Sequence, residues 1–241
     1  MIETRRLTKQ YGTRTAVDGL DLQIASGELF SLLGVNGAGK TTTIRMLSCL
    51  SAPTSGEAFV GGFSCTAQPE QVKRIIGVSP QDTAVADNLT VRENLEFMTS
   101  LYDCGREQAR ERVERMLDDL RLREVERQRA RTLSGGWKRR LSIAMALISQ
   151  PQVLFLDEPT LGLDVLARRE LWRIIEQLKG SMTIVLTTHY MEEAEQLSDR
   201  IAVMVSGRIV ACGTLAELKQ LSGAEDLESA FVAIAEQEAA H

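Results

Sequence analysis

Gly34-Val35-Asn36-Gly37-Ala38-Gly39-Lys40-Thr41-Thr42 is the stretch that decides how this chain is read, because it fits G-x-x-x-x-G-K-[ST] at every required position. Glycines and a lysine are common, so the flanks have to agree. Glu28 to Leu33 is an apolar run of strand length, and Thr42 to Leu50 places Ile44, Leu47 and Leu50 on one side of a helix. A strand that enters a glycine turn and leaves as a helix aims several backbone N–H groups and the positive end of the helix dipole at one spot. That spot suits a polyphosphate. Gly34, Gly37 and Gly39 admit backbone conformations closed to residues with a Cβ, Lys40 has the reach for β and γ phosphates, and the Thr41 hydroxyl is a ligand for Mg²⁺. A glycine turn that only capped a buried helix would need neither the lysine nor the hydroxyl.

The second informative stretch is Pro151-Gln-Val-Leu-Phe-Leu-Asp-Glu-Pro-Thr160. Val153 to Leu156 reads as a buried parallel strand, and it runs into two adjacent acids. Two carboxylates at the end of a buried strand cost several kcal/mol of desolvation unless a cation or hydrogen bonds offset it. Strand neighbours point to opposite faces, so Asp157 and Glu158 are expected to do different work: Asp157 in a Mg²⁺ shell, Glu158 as general base on the attacking water. Met182 to Thr188 is another buried strand and ends in His189, at the edge where a doubly wound sheet binds ligands.

The 241 residues, 44% of them hydrophobic, suffice for one large α/β domain. A net charge of -5 gives no electrostatic footprint for nucleic acid. Cys49, Cys65, Cys104 and Cys212 lack metal-ligand spacing, and no apolar run approaches the roughly 18 residues of a membrane span, so any membrane role must come through a partner. Ile2 to Leu7 and Leu20 to Ile24 read as antiparallel strands, with Tyr11 in a polar loop between them. Pro53 to Gly56 is a turn, Glu57 to Val60 a strand, and Pro80 leaves Gln81 at a strand end. Thr90 with Glu93 forms a capping box, after which nothing up to about Ile148 reads as a strand; the arginines there alternate with acids, as on a solvated helix face. Within it, Thr132-Leu-Ser-Gly-Gly-Trp-Lys-Arg-Arg-Leu141 opens a helix at Ser134, Gly135 and Gly136, either as an N-cap by Ser134 or as an anion site. Leu166 to Leu178 reads as a helix, Ile201 to Val210 as a hairpin, and Asp226 to Ala240 as a terminal helix. The expected layout is a mostly parallel core with a β lobe (1–85 and 150–220), an inserted helical subdomain (86–149) and a helical extension (221–241).

Taken together, these motifs resemble the ATP-binding subunits of ABC transporters over about residues 3–220. Gly34 to Thr41 matches that family's Walker A, Val153 to Glu158 its Walker B, Leu133 to Gly136 its signature, Gln81 its Q-loop, Leu163-Asp164 its D-loop and His189 its switch histidine. The resemblance implies a P-loop NTPase fold, ATP and Mg²⁺ as ligands, and Tyr11 stacked on adenine. It implies Gln81 helping to coordinate Mg²⁺ and sensing a membrane subunit, Ser134 and Gly136 reaching the γ-phosphate held by a second copy, and His189 holding γ-phosphate and water. Trp137, where many members have Gln, and Leu161, where a small residue is usual, depart from the pattern. The form of the signature and of Thr187 to Ala194 resembles the energising subunits of bacterial exporters, peripheral to the cytoplasmic face of the membrane beside a separate permease. The competing readings are a soluble ATPase acting on nucleic acid or as a regulator, and a P-loop nucleoside kinase, which leaves the signature and His189 without a task.

Overall fold

Alternation of core and solvent residues makes the first two strands. β1 (Ile2–Tyr11) and β2 (Arg14–Ile24) pair antiparallel in the computed structural model, which describes residues 1–102 and 104–239. Leu20, Leu22 and Ile24 are buried while Asp21 and Gln23 between them are exposed, the period of a half-buried strand. The hairpin is tighter than the sequence suggests. Tyr11 pairs with Arg14 and only Gly12 and Thr13 turn, so Tyr11 is a strand residue, not a loop residue.

β3 (Leu29–Leu33) is buried throughout and feeds the glycine loop, from which α1 (Lys40–Leu47) emerges two residues earlier than the apolar periodicity indicates. β4 (Ser55–Val60) and β5 (Phe63–Ser64) complete an antiparallel sheet ordered β2-β1-β4-β5. α2 (Pro69–Ile75) was not legible as a helix: it has seven residues and buries only Val72, too little to show a period. β6 (Ile76–Ser79) follows, and Pro80 stops it as expected.

The helical part begins at Thr90, whose hydroxyl accepts from the Glu93 N–H (3.1 Å) while the Glu93 carboxylate accepts from the Thr90 N–H (2.7 Å). This capping box starts α3 (Val91–Ser100); α4 (Arg106–Asp119) and α5 (Gly135–Leu147) follow, with 3₁₀ turns at Arg123–Val125 and Ala130–Thr132. Among the described residues from 90 to 148 there is no strand, only an isolated bridge between Thr90 and Arg129. The arginines here are committed. Arg92 holds Glu114 (2.8 Å) and Glu126 (2.9 Å), and Arg123 holds Asp118 (2.6 Å) and Glu114. Arg92 and then Arg123 bring the Glu114 carboxyl down to about 2.

The remaining elements are β7 (Val153–Asp157), α6 (Val165–Leu178), β8 (Thr183–Thr188), α7 (Met191–Leu197), β9 (Arg200–Val205), β10 (Arg208–Gly213), α8 (Leu215–Ser222) and α9 (Leu227–Ala239). Ala240, expected to end the last helix, lies outside the described residues. The second sheet runs β10-β9-β3-β8-β7-β6, parallel except for the β9–β10 hairpin. This is the expected mostly parallel core. β3, β7 and β8 are central, so their carboxyl ends deliver Gly34, Glu158 and His189 to one edge.

α5 lies so close over β6 that a Cβ on Gly77 would stand 2.3 Å from the Ala146 carbonyl oxygen and 3.1 Å from Pro151 Cγ. Both are firmly held, one by a helix backbone and one by a proline ring. Gly77→Ala is therefore expected to destabilise the protein by about 1–3 kcal/mol through overpacking. The check is urea unfolding, with a lowered midpoint and an unchanged slope.

Candidate nucleotide-binding and hydrolysis site

The end of β3 is tied to the end of β8 by the Gly34 N–H, which donates to the Thr188 carbonyl (3.2 Å). The loop then turns at Gly39, with φ 109 and no room for a Cβ, which would meet the Ala16 carbonyl at 2.5 Å. α1 starts immediately after it without a side-chain cap and without an acid in its first turn. Its N-terminal N–H groups are thus left for an anion.

Lys40 folds back along the loop. Its Nζ donates to the carbonyls of Gly34 (2.7 Å) and Val35 (3.2 Å) and pairs with Glu158 Oε1 at 3.0 Å, both side chains only 5% exposed. The other Glu158 oxygen meets His189 Nδ1 at 2.7 Å. Asp157 takes different partners: its Oδ1 accepts from the hydroxyls of Thr41 (3.0 Å) and Thr187 (2.6 Å). The desolvation of two buried carboxylates is thus offset by one cation, one histidine and two hydroxyls.

The divergence of the two acids has a cause other than strand alternation. Glu158 has a left-handed backbone, φ 48, and leaves the strand at that residue. Its N–H turns back to both the carbonyl (3.1 Å) and the hydroxyl (3.0 Å) of Thr187, which hold this strained geometry in place. Thr187 therefore holds the Asp157 carboxylate and the Glu158 backbone at once, and its apolar-run context in the sequence did not single it out. The available signal was the pair of threonines, Thr187 and Thr188, that ends a buried strand.

A cleft of about 320 Å³ opens in front of these groups, lined by Asn36, Gly37, Ala38, Gly39, Lys40 and Thr41 on one side and by Gln81, Glu158, Leu161 and His189 on the other. Asp157 sits behind Thr41. Gln81 is exposed at the rim, and its carbonyl and that of Pro80 each accept from the buried Arg139 guanidinium of α5 at 2.6 Å. Arg139 is the middle of three consecutive basic residues, Lys138 to Arg140, in the signature stretch. Burial lowers its pKa, and the charges of Asp157, Asp82 and, when ionised, Glu193 offset this in part.

Other expected site residues lie apart from the cleft lining. Tyr11, 47% exposed, carries the Lys9 ammonium 5.1 Å from its ring centroid. Val35 is exposed at the loop tip, and Thr42 lies one residue into α1 beyond the lining. Ser134, Gly135 and Gly136 open α5 beside α6, where a Cβ on Gly136 would stand 3.2 Å from Ala167 Cβ. Ser134 occupies the N-cap position, yet its hydroxyl makes no capping bond, so the capping interpretation does not hold. Trp137 packs under the Arg140 guanidinium, 4.4 Å from its centroid.

A glycine cradle at a helix start, a lysine on it and two acids at the end of the neighbouring strand define a P-loop nucleoside-triphosphatase site. Residues 17–161 match the ABC transporter family. The daunorubicin/doxorubicin resistance ATP-binding protein DrrA of Streptomyces peucetius is 45% identical over 94% of this chain and 69% of its own length. The phospholipid-transporting ATPase ABCA3 of Homo sapiens is 45% identical over 88% of this chain, which spans 12% of that protein's length. A dimeric ATP-binding cassette in a post-hydrolysis state, bound to ADP and Pi, superposes with a TM-score of 0.81 at 26% identity, covering 89% of this chain and 99% of that one. The chain belongs to the ABC transporter family, as an ATPase cassette.

Replacing Thr187 by Val removes the hydroxyl that serves both acids while keeping its shape. Loss of the bond to Asp157, with that acceptor still buried, is expected to lower stability by about 1–3 kcal/mol. Thermal unfolding of Thr187→Val beside Thr187→Ser checks it, since the serine restores the hydroxyl and most of the loss.

Proposed function

We propose that this chain hydrolyses ATP to power export of a substrate across the cytoplasmic membrane through a separate membrane subunit, working as a head-to-tail pair of copies. The observation that carries the reading is the contact of Glu158 with Lys40 at 3.0 Å and with His189 at 2.7 Å, beside the glycine loop. On this reading the γ-phosphate draws Lys40 away from Glu158, which frees that carboxylate to take a proton from water, while His189 holds the phosphate and water in line. The uncapped start of α1 adds fixed positive potential where charge builds up.

The donor set suits Mg²⁺. Thr41 Oγ1 and Asp157 are hard oxygen ligands 3.0 Å apart, with Gln81 at the rim, and this cation asks for one or two carboxylates beside the substrate's own phosphates. When bound, Mg²⁺ neutralises phosphate charge. Thr41, Asp157 and Gln81 are the residues assigned to hold it.

Pairing of copies is supported by what one chain leaves uncovered. Val35, Leu161, Val165 and Leu166 are large exposed apolar residues on the glycine loop and at the start of α6, and Ser134 to Gly136 present free N–H groups away from their own cleft. The dimeric state of the related cassette favours the same arrangement. We assign adenine stacking to Tyr11, the inserted helical lobe to 86–149 and the extension to 221–241. The membrane subunit is assigned to an apolar groove of about 320 Å³ between Pro80 and α3, lined by Leu50, Met98 and Tyr102. Among the described residues no helix is long and apolar enough to cross a membrane. Export as the direction rests on the resistance protein DrrA. Action on nucleic acid finds no support in arginines that are already paired with acids.

Glu158→Gln should reduce ATP turnover about a hundredfold or more while ATP still brings two copies together, as read by light scattering. Near-parental turnover would sink the assignment of the base. Lys40→Ala should weaken ATP binding at least about tenfold, a loss of roughly 1.4 kcal/mol, in a calorimetric titration. Leu50→Glu should keep the basal turnover of the purified chain but lose the membrane protein that co-purifies from solubilised membranes; retention would place the docking surface elsewhere.

A further inference from the structure

Beneath the catalytic edge lies a carboxyl that the mechanism above does not use. Glu193, in the first turn of α7, is wholly buried. Its Oε1 accepts from Trp172 Nε1 of α6 at 3.0 Å, and its Oε2 has no hydrogen-bond partner. Thr160 Oγ1 is equally buried and equally without a partner. The Thr160 and Thr188 side chains stand against this carboxyl without completing hydrogen-bond geometry to Oε2. Thr160 lies two residues after Glu158 and Thr188 directly precedes His189. The carboxyl therefore touches both segments that carry the proposed base and its histidine, and ties them to α6.

We propose that Glu193 acts as a neutral acid, its Oε2 hydroxyl donating towards Thr160, and is the positioning residue that fixes the spacing of Glu158 and His189. An ionised carboxylate has only acceptors to offer and would leave the Thr160 hydroxyl as its sole new donor. That donor and the indole N–H are little to set against the desolvation of a wholly buried charge that has no ion pair among the described residues. The protonated form carries no charge and still joins two elements, donating through Oε2 and accepting through Oε1. Burial raises the pKa of Glu193; the adjacent Thr188 and Thr160 hydroxyls and the Trp172 N–H lower it by less, and the charge of Glu158 raises it further. Arg139 is the cation that faces this interior. Because folding raises the pKa, the stability this group contributes is full at low pH and is lost as pH rises through the folded-state value.

Positioning is expected to show in turnover rather than in nucleotide affinity. A displacement of the base or the histidine by a fraction of an ångström lowers kcat roughly ten- to a hundredfold and leaves KM for ATP near the parental value. The proposal rests on the assignment of Glu158 to hydrolysis, and Glu158→Gln assayed alongside separates the two: if that variant stays active, it is the assignment of the base that has failed.

The experiment compares Glu193→Gln, Glu193→Met and Thr160→Val in the full chain, by ATP turnover and by thermal unfolding at about pH 6 and about pH 9. Glu193→Gln keeps the shape, a donor and an acceptor without a titrating proton. It should retain kcat within about threefold and lose less stability than the parent between the two pH values. Glu193→Met should lose kcat with KM unchanged. Thr160→Val should lose kcat similarly, and the double variant Thr160→Val with Glu193→Met should lose no more than the worse single one, as for residues acting as a unit. Parental kcat in Glu193→Met, equal damage in Glu193→Gln and Glu193→Met, or additive losses in the double variant would each overturn the proposal. If Glu193→Met does not fold, Glu193→Asp replaces it: the shorter acid withdraws from Trp172, and unchanged kcat there overturns the proposal just as well.

Discussion

Two carboxylates at the carboxyl end of one buried strand are the constraint on which the rest depends. Asp157 and Glu158 are each only 4% exposed, and burying two carboxylates without partners would cost several kcal/mol. Every element at the sheet edge brings a partner. The glycine loop returns Lys40 to Glu158, α1 supplies Thr41, and β8 supplies Thr187 and then His189. Such a pair is poor as a source of stability, since desolvation consumes most of the Coulombic gain. On the proposed function it is a charge arrangement held ready for exchange, because a polyphosphate offers Lys40 a partner of the same sign as Glu158.

How much of this could be read from the residues alone follows from the range of the interactions. The glycine loop, the acids, His189 and the capping box at Thr90 are local patterns, and the fold placed them where their patterns implied. Interactions that depend on distant partners were not legible. Thr187 gains its significance from facing β7, Arg139 from lying over Pro80, and Glu193 from being enclosed by α6 and the Thr160 segment; no spacing along the chain encodes those neighbours. α2 escaped notice because seven residues with one buried side chain show no period, and Tyr11 was misplaced because a two-residue turn leaves the strand longer than its composition suggests. The separation of Asp157 from Glu158 was expected from alternation and is produced instead by a left-handed residue, which no pattern of apolar positions reveals.

The helix opened by Ser134 illustrates how a basic run changes meaning on folding. Lys138 remains near the surface with Asp87, while Arg139 and Arg140 are 4% and 6% exposed. Arg139 ties α5 to the carbonyls of Pro80 and Gln81, and Arg140 joins Glu170 of α6 while covering the Trp137 ring. The indole thus takes the place of a polar side chain by packing within its own lobe, and the free N–H groups at the helix start are not altered by it. The Gln81 segment and the start of α5 are joined by two hydrogen bonds to one rigid guanidinium. A shift of one is therefore transmitted to the other, so on the proposed reading the groove beside Pro80 and the signature at Ser134 move together.

That coupling bears on why a single cleft is an incomplete site. Within one chain every charge of the cleft already has a partner, so it is stable as it stands, yet it has one open side. The glycine-loop tip and the start of α6 carry apolar residues that no element of the chain covers, among them Val35 and Leu166, 55% and 79% exposed. Burying them against a second copy would bring a further helix start towards the phosphates at the point where charge develops, and would exclude water that otherwise screens Lys40. On the proposed function, turnover then depends on closure of the pair, and closure on whatever moves α5. The glycine loop alone suffices to hold a phosphate. On the proposed function, hydrolysis requires in addition that Glu158 lose Lys40 while His189 and the buried carboxyl proposed to support it keep their positions, a difference between what must move and what must stay.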